Sequence, residues 1–304
     1  MALTTEEYSP IRHLASILWP PWVDRDDAVL IMLTCAFDAG GDYRSPFLTV
    51  AGFASSTEDW DLFSSTWKKR LEEDGIEYFH ATDLDSFHGP FRHWQDRTDR
   101  KELSRRLCND LMNILKRHVY HKFSITIINK AFAELTPQVR EEFALCAYSF
   151  AGRTCYRYVR KWMDEEPGFR GKPNEIVFEA GDEGKGNLQE RLAKDYKIFP
   201  IFKPKKDTRL ADGEVVAGFV PLQAADWLAN EVNRMAKQFP GTLESIEQLR
   251  WPMREFTQYP PGFMGTYTPE NLKEMESGIE IQKKLTEWEK VVGLSKEQKK
   301  SKGA

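Results

Sequence analysis

The sequence predicts an α/β fold, in which a β-sheet is flanked by helices. Two apolar runs near the start, residues 29–37 and 47–53, predict strands that form a hairpin around the Gly40-Gly41-Asp42 turn. Apolar residues at three-to-four spacing then predict a helix that begins with the capping residues 56–59. Strand-like and helix-like segments alternate further along the chain, and such alternation is typical of α/β proteins.

The later elements follow from hydrophobic periodicity and from the glycines and prolines that interrupt it. The first helix, for example, has Trp60, Trp67 and Leu71 on one face and ends at Asp74-Gly75. The predicted elements after it are an extended segment at 76–80, a helix at about 99–117, a strand at 122–128, a long helix after Pro137, a strand at 175–178, a helix from Pro221 and an amphipathic helix from about Pro269.

The composition is that of a globular chain: 304 residues, of which 41% are hydrophobic and 12% aromatic. This length can bury one large core. Consecutive prolines oppose both helix and central strand, so we predict an irregular leader at residues 1–26. We predict the main domain at 27–240, followed at 241–304 by an extension with an amphipathic helix and a mobile, lysine-rich end.

Several classes of protein are disfavoured by composition. No run approaches the roughly 18 apolar residues of a membrane span, and the N-terminus lacks a signal pattern, so we expect a cytoplasmic protein without membrane contact. The four cysteines show no Cys-x-x-Cys spacing, which argues against a zinc site or a disulfide framework. A net charge of −4 gives no global attraction to nucleic acid, so such contact would need local basic patches.

Three acidic residues from distant segments are candidates for one metal site. Asp38 and Glu179 lie where predicted buried strands end, and Asp226 lies in the helix from Pro221. At helical spacing, that helix has a stripe of small apolar residues beside a polar stripe that contains Gln223 and Asp226. The alternative is that the strand-end acids cap turns and that the polar stripe meets water.

Five short blocks are spread over residues 28–237: residues 37–40 (Phe-Asp-Ala-Gly), 79–84 (Phe-His-Ala-Thr-Asp-Leu), 89–91 (Gly-Pro-Phe), 178–182 (Phe-Glu-Ala-Gly-Asp) and 221–226 (Pro-Leu-Gln-Ala-Ala-Asp). In this order they resemble the signature blocks of domain-of-unknown-function family 3800. Because Ala39 and Gly40 follow Asp38 where that family commonly has Asp-Glu-Ser-Gly, the acid beside Asp38 is missing. The resemblance implies a ribonuclease H-like fold, a mixed β-sheet flanked by helices, with helical insertions and a C-terminal helical extension.

The resemblance also implies a set of metal ligands. In ribonuclease H-like enzymes, carboxylates from the first strand, a later central strand and a C-terminal helix converge on two divalent cations about 4 Å apart. Asp38, Glu179 and Asp226 match these positions. Asp182 is a further candidate ligand, for which the alternative is a turn residue. Ligands that are all oxygen favour Mg²⁺ or Mn²⁺ over zinc.

Two further residues are candidates for supporting roles. Gln223 lies one turn before Asp226, where it could orient that carboxylate or a water molecule, or instead make a hydrogen bond at the helix start. His80 could assist proton transfer, because an unperturbed histidine has a pKa near 6.5, or could serve the structure alone.

Our hypothesis is therefore a divalent-metal-dependent phosphodiester hydrolase, a nuclease, with nucleic acid as its partner. Basic residues, Lys203, Lys205, Lys206 and Arg209 among them, would contact phosphates or else simply be solvated. The alternative is a catalytically silent ribonuclease H-like module that binds nucleic acid or a protein. A second copy of the chain or another protein could pack on the terminal extensions.

Overall fold

The structure, a computed structural model, describes residues 32–143, 145–240 and 243–280. The predicted leader at 1–26, the first residues of the predicted strand at 29–37 and the lysine-rich end lie outside the described residues. Within them, every helix is too short or too polar to cross a bilayer.

The centre of the molecule is a mixed six-stranded β-sheet flanked by helices, which confirms the predicted α/β fold. The strands of this sheet and of a separate two-stranded sheet are β1 (Leu33–Gly40), β2 (Phe47–Ser56), β3 (His121–Ile128), β4 (Asn174–Glu179), β5 (Ile201–Lys203), β6 (Thr208–Arg209), β7 (Val215–Val216) and β8 (Gly262–Tyr267). The helices are α1 (Thr57–Glu73), α2 (Ala81–Ser86), α3 (Arg100–His118), α4 (Asn129–Ala133), α5 (Pro137–Glu142), α6 (Ala147–Glu165), α7 (Lys185–Tyr196), α8 (Pro221–Gln238), α9 (Trp251–Gln258) and α10 (residues 269–280), with 3-10 turns at Gly89–Trp94 and Ile246–Gln248.

The strand order of the main sheet is β5-β4-β1-β2-β3-β8. Strands β1, β2 and β3 pair antiparallel, as the predicted hairpin requires, while β4 pairs parallel with β1 and β5 parallel with β4. Strand β8, which belongs to the predicted C-terminal extension, pairs parallel with β3. Strand β1 is therefore central, and its C-terminal end lies beside that of β4.

Two apolar layers cover the two faces of the sheet. Helices α1, α3, α8 and α9 contribute to the core on one face, and α6 and α7 contribute to the core on the other. All ten residues of β2 are buried, because both faces of this strand are covered. Helix α1 begins where the Ser56 side chain accepts a hydrogen bond from Asp59 N, and it buries the predicted Trp60, Trp67 and Leu71.

The long helix predicted after Pro137 is wrong, because the structure has two helices, α5 and α6, in its place. Leu145 adopts a left-handed conformation with φ of 69°, and Cys146 is extended. Cys146 Sγ accepts a hydrogen bond from Ser149 N at 3.5 Å and so caps α6. No glycine or proline marks this break, so the apolar periodicity of the sequence continues through it.

The buried residue Glu175 on β4 should make stability depend on pH. The residue is 4% exposed, and the Thr34 side chain is the polar group that interacts with its carboxylate. Burial raises the pKa of Glu175 to about 7, against a lowering by Lys203. The folded chain therefore keeps a proton that the unfolded chain loses above a pH of about 4.5, and stability falls by about 1.4 kcal/mol per pH unit between these two pKa values.

We expect Glu175→Gln to remove this loss. The variant should match the parent chain near pH 4.5 and exceed its free energy of unfolding by about 2–3 kcal/mol near pH 8. Urea unfolding at both pH values measures the difference, with Glu165→Gln at an exposed position of α6 as the matched control. An equal pH dependence in the parent chain and Glu175→Gln would contradict this assignment.

Candidate metal centre

The parallel pairing of β1 and β4 brings two of the predicted acids together. Phe37 is in register with Phe178, and their rings stack at 5.3 Å between centroids on the α6 side of the sheet. Because side chains alternate along a strand, the next residues, Asp38 and Glu179, both point to the opposite face, on which α8 packs. The backbone pairing alone therefore makes these two carboxylates neighbours.

Asp182, in the turn after β4, completes a group of three carboxylates. One oxygen from each of Asp38, Glu179 and Asp182 lies within 4.8 Å of the other two, so the group could hold a metal ion. Two short backbone contacts orient the group: Asp38 Oδ1 accepts from Ala39 N at 2.7 Å, and Glu179 Oε2 accepts from Gly181 N at 2.6 Å. We call Asp38, Glu179 and Asp182 the carboxylate triad.

Burial raises the pKa values of Asp38 and Asp182. Asp38 is 2% exposed, and burial raises its pKa to about 7, although Lys205 opposes the shift. Burial also raises the pKa of Asp182 to about 8, and the negative charges of Asp38 and Glu179 add to the shift. These carboxylates are costly to ionise without a cation, and a bound divalent cation would remove that cost.

The hydroxyl of Tyr148 lies beside the triad and interacts with Asp182. Tyr148 is a residue of α6 that is 3% exposed, and its hydroxyl lowers the pKa of Asp182 against the larger effect of burial. Both residues line a cleft of about 620 Å³ between the β1–β2 turn, the start of α6 and the β4–α7 turn. The cleft therefore gives a cation access to Asp182, with the Tyr148 hydroxyl as a neighbouring oxygen.

Helix α8 lies unusually close to β1, and this contact places Asp226. A Cβ atom at Gly40 would lie 2.4 Å from the carbonyl oxygen of Ala229, so only glycine permits this approach. Asn233 strengthens the contact between α8 and the β1–β2 hairpin, because Asn233 Nδ2 donates to Gly40 O at 2.8 Å and to Phe47 O at 3.0 Å. Helix α8 therefore contacts the β1–β2 hairpin about one helical turn after Asp226.

Asp226 lies outside the carboxylate triad and is joined to it through a lysine. Lys205 Nζ donates to Asp38 Oδ2 at 2.7 Å and to Asp226 Oδ1 at 2.9 Å. Burial lowers the pKa of Lys205, but the charges of Asp38 and Asp226 outweigh burial and raise it well above the usual value. The lysine is therefore a fixed positive charge between the two predicted ligands. Asp226 Oδ2 accepts from Ala81 N at 2.7 Å, which fixes the other side of this carboxylate.

His80 lies beside the Asp226 carboxylate, whereas Gln223 bonds to the backbone of Lys205. His80 Nδ1 lies 3.0 Å from Asp83 Oδ2, and His80 Nε2 lies 3.5 Å from Asp226 Oδ1. Gln223 makes long-range bonds instead of a hydrogen bond at the helix start. Its Oε1 accepts from Trp67 Nε1 at 3.0 Å and from Phe79 N at 2.9 Å, and its Nε2 donates to Lys205 O at 2.9 Å.

Lys205 and Tyr148 are the residues whose place at the site the sequence did not reveal. Lys205 was one member of a basic set, and nothing in its spacing separates it from Lys203 or Lys206. Tyr148 falls in the region predicted as one continuous helix, and the break before α6 brings it to the cleft. Both placements depend on tertiary structure.

Comparison with known proteins assigns no family: no protein-family model and no curated protein matches the chain. The resemblance of the five sequence blocks to family 3800 therefore stays a prediction.

Proposed function

We propose that the protein is a divalent-metal-dependent phosphodiester hydrolase, a nuclease, with a ribonuclease H-like fold. The observation that carries the proposal is the carboxylate triad, which has one oxygen from each residue within 4.8 Å of the other two. The arrangement of the donors supports the fold assignment, since acids come from the first strand, from the parallel strand beside it and from a later helix.

The triad, Lys205 and His80 would have separate roles in this reaction. Asp38, Glu179 and Asp182 would hold Mg²⁺ or Mn²⁺, which would activate a water molecule and stabilise the leaving oxygen. Lys205 orients Asp38 and Asp226 and compensates their charge. His80 offers Nε2 beside Asp226 as a group that can take or give a proton, held in place by Asp83 at its other nitrogen.

A second cleft, beside Lys205, offers lysines to a nucleic acid substrate. This cleft of about 330 Å³ has a lining of mixed charge, with Lys68, Lys205 and Lys206 opposed by Glu72, Glu77 and Asp207. Lys206 Nζ lies 4.2 Å from the centroid of the Tyr78 ring and donates to its hydroxyl at 3.1 Å. Lysines bind phosphates, so Lys68 and Lys206 are the groups by which this cleft would contact a nucleic acid strand.

Manganese binding and cleavage together test the proposal. We expect the full chain to bind Mn²⁺ saturably in electron paramagnetic resonance titrations and to cleave at least one of single-stranded DNA, duplex DNA or RNA, with cleavage lost in EDTA. Asp182→Asn should lose most Mn²⁺ binding, whereas Asp212→Asn, at an exposed turn between β6 and β7, should bind like the parent chain. Absence of both Mn²⁺ binding and cleavage would refute the proposal.

A second candidate is the catalytically silent module, and Lys205 is the observation that favours it. The ammonium group already neutralises part of the charge on Asp38 and Asp226. Such a module would retain nucleic acid in a mobility-shift assay in EDTA and would cleave none of the substrates when Mn²⁺ is present. The cleavage assay with Mn²⁺ therefore separates the two candidates, since both would retain nucleic acid in EDTA.

A further inference from the structure

We propose that Lys205 is a built-in cation that takes one of the two cation positions of this site, so that the chain binds a single divalent ion at the carboxylate triad. This inference rests on the proposed function and deepens it. It assigns to Asp226 the role of holding Lys205, in place of the role of a metal ligand.

The position of the ammonium group is the first argument. Lys205 Nζ lies 2.7 Å from one carboxylate and 2.9 Å from another, so it bridges Asp38 and Asp226 as a shared cation would. The carboxylate triad uses Asp38, Glu179 and Asp182, so Asp38 is the residue that the two cation positions share. An ammonium group has three N–H donors, and these two bonds leave one that can reach a phosphoryl oxygen of the substrate.

The anchoring of Lys205 is the second argument, since a lysine that merely fills an empty site would be free to leave. Its side chain is only 17% exposed. Its carbonyl oxygen accepts from Gln223 Nε2 at 2.9 Å, and the neighbouring Pro204 O accepts from Phe219 N at 2.8 Å. Withdrawing the ammonium group would leave the buried carboxylates of Asp38 and Asp226 without compensation, which is strongly unfavourable.

The stoichiometry of Mn²⁺ binding tests the inference on the full chain. We expect one ion per chain for the parent protein and two for Lys205→Ala, because Asp38 and Asp226 then become free to share a second ion. Lys206→Ala is the matched control and should bind one ion, since Lys206 contacts Tyr78 and not the carboxylates. Thermal unfolding in EDTA and in Mn²⁺ shows whether each variant is folded.

Asp226→Asn keeps the inference testable if Lys205→Ala does not fold. We expect this variant to bind one Mn²⁺ ion with an affinity within threefold of the parent value, because Asp226 is not a ligand of the bound ion. Two ions on the parent chain, one ion on folded Lys205→Ala, or loss of Mn²⁺ binding in folded Asp226→Asn would each overturn the inference while leaving the proposed function in place. Absence of Mn²⁺ binding in every variant would overturn both.

Discussion

Asp38→Asn is expected to reduce metal-dependent cleavage by at least about a hundredfold, because losing even an outer partner of a metal ligand costs 10–100-fold. Asp38 belongs to the carboxylate triad and also accepts from Lys205, so one substitution weakens both cation positions. The asparagine amide is a weaker oxygen ligand, and its NH₂ group cannot accept a bond from the lysine.

The chain should stay folded in this variant. Burial already raises the pKa of Asp38 to about 7, so a neutral side chain of the same shape suits the site, and Lys205 keeps Asp226 as its partner. Initial cleavage rates at saturating Mn²⁺, with circular dichroism to verify folding, make the comparison, and Asp212→Asn serves as the control. More than half of the parent rate in a folded Asp38→Asn chain would remove Asp38 from the proposed site.

Gln223→Leu is expected to cost on the order of 4 kcal/mol of unfolding free energy. Gln223 is 3% exposed, and its amide joins Trp67 of α1, Phe79 before α2 and the Lys205 backbone. Leucine has a similar volume but leaves two buried N–H donors and one carbonyl without partners, and each unpaired group costs about 1–3 kcal/mol.

The same substitution at Gln238 provides the control for this prediction. Gln238 is exposed at the end of α8, so Gln238→Leu should change stability by less than about 0.5 kcal/mol. Urea unfolding of the two variants gives both values. If Gln223→Leu lies within about 1 kcal/mol of the parent chain, the three buried bonds are replaceable and the amide has no structural role.

The predictable part of the structure is the part that local sequence encodes. Strands β1 to β4 and helices α1, α3 and α8 follow from apolar runs and helical periodicity, and Asp38 and Glu179 stand out because they end such runs. Strand β5 has three residues, too few for a clear period, and β8 contains two glycines, so neither strand could be predicted from the sequence.

The electrostatics of the candidate site could not be predicted in the same way. Lys205 meets Asp38 from 167 positions away and Asp226 from 21 positions away. No spacing rule encodes an ion pair of this kind, because it exists only after β5, β1 and α8 have packed. In the same way, a hydrogen bond at the helix start was one predicted role for Gln223, but in the folded chain its side chain bonds to three partners from other segments.

The contact of Gly40 on β1 with the backbone of α8 fixes the distance between these elements, and so the geometry of the site, independently of overall stability. At Gly40 the strand meets the helix backbone to backbone, so the spacing there does not depend on how large side chains fit together. Changes of volume among the apolar residues of α1, α3 or α9 should shift the melting temperature and leave the separation of Asp38 and Asp226 nearly constant. The apolar residues of α1, α3 and α9 can therefore vary in sequence without changing the site. Gly40 sets the distance between β1 and α8, and no larger residue fits there.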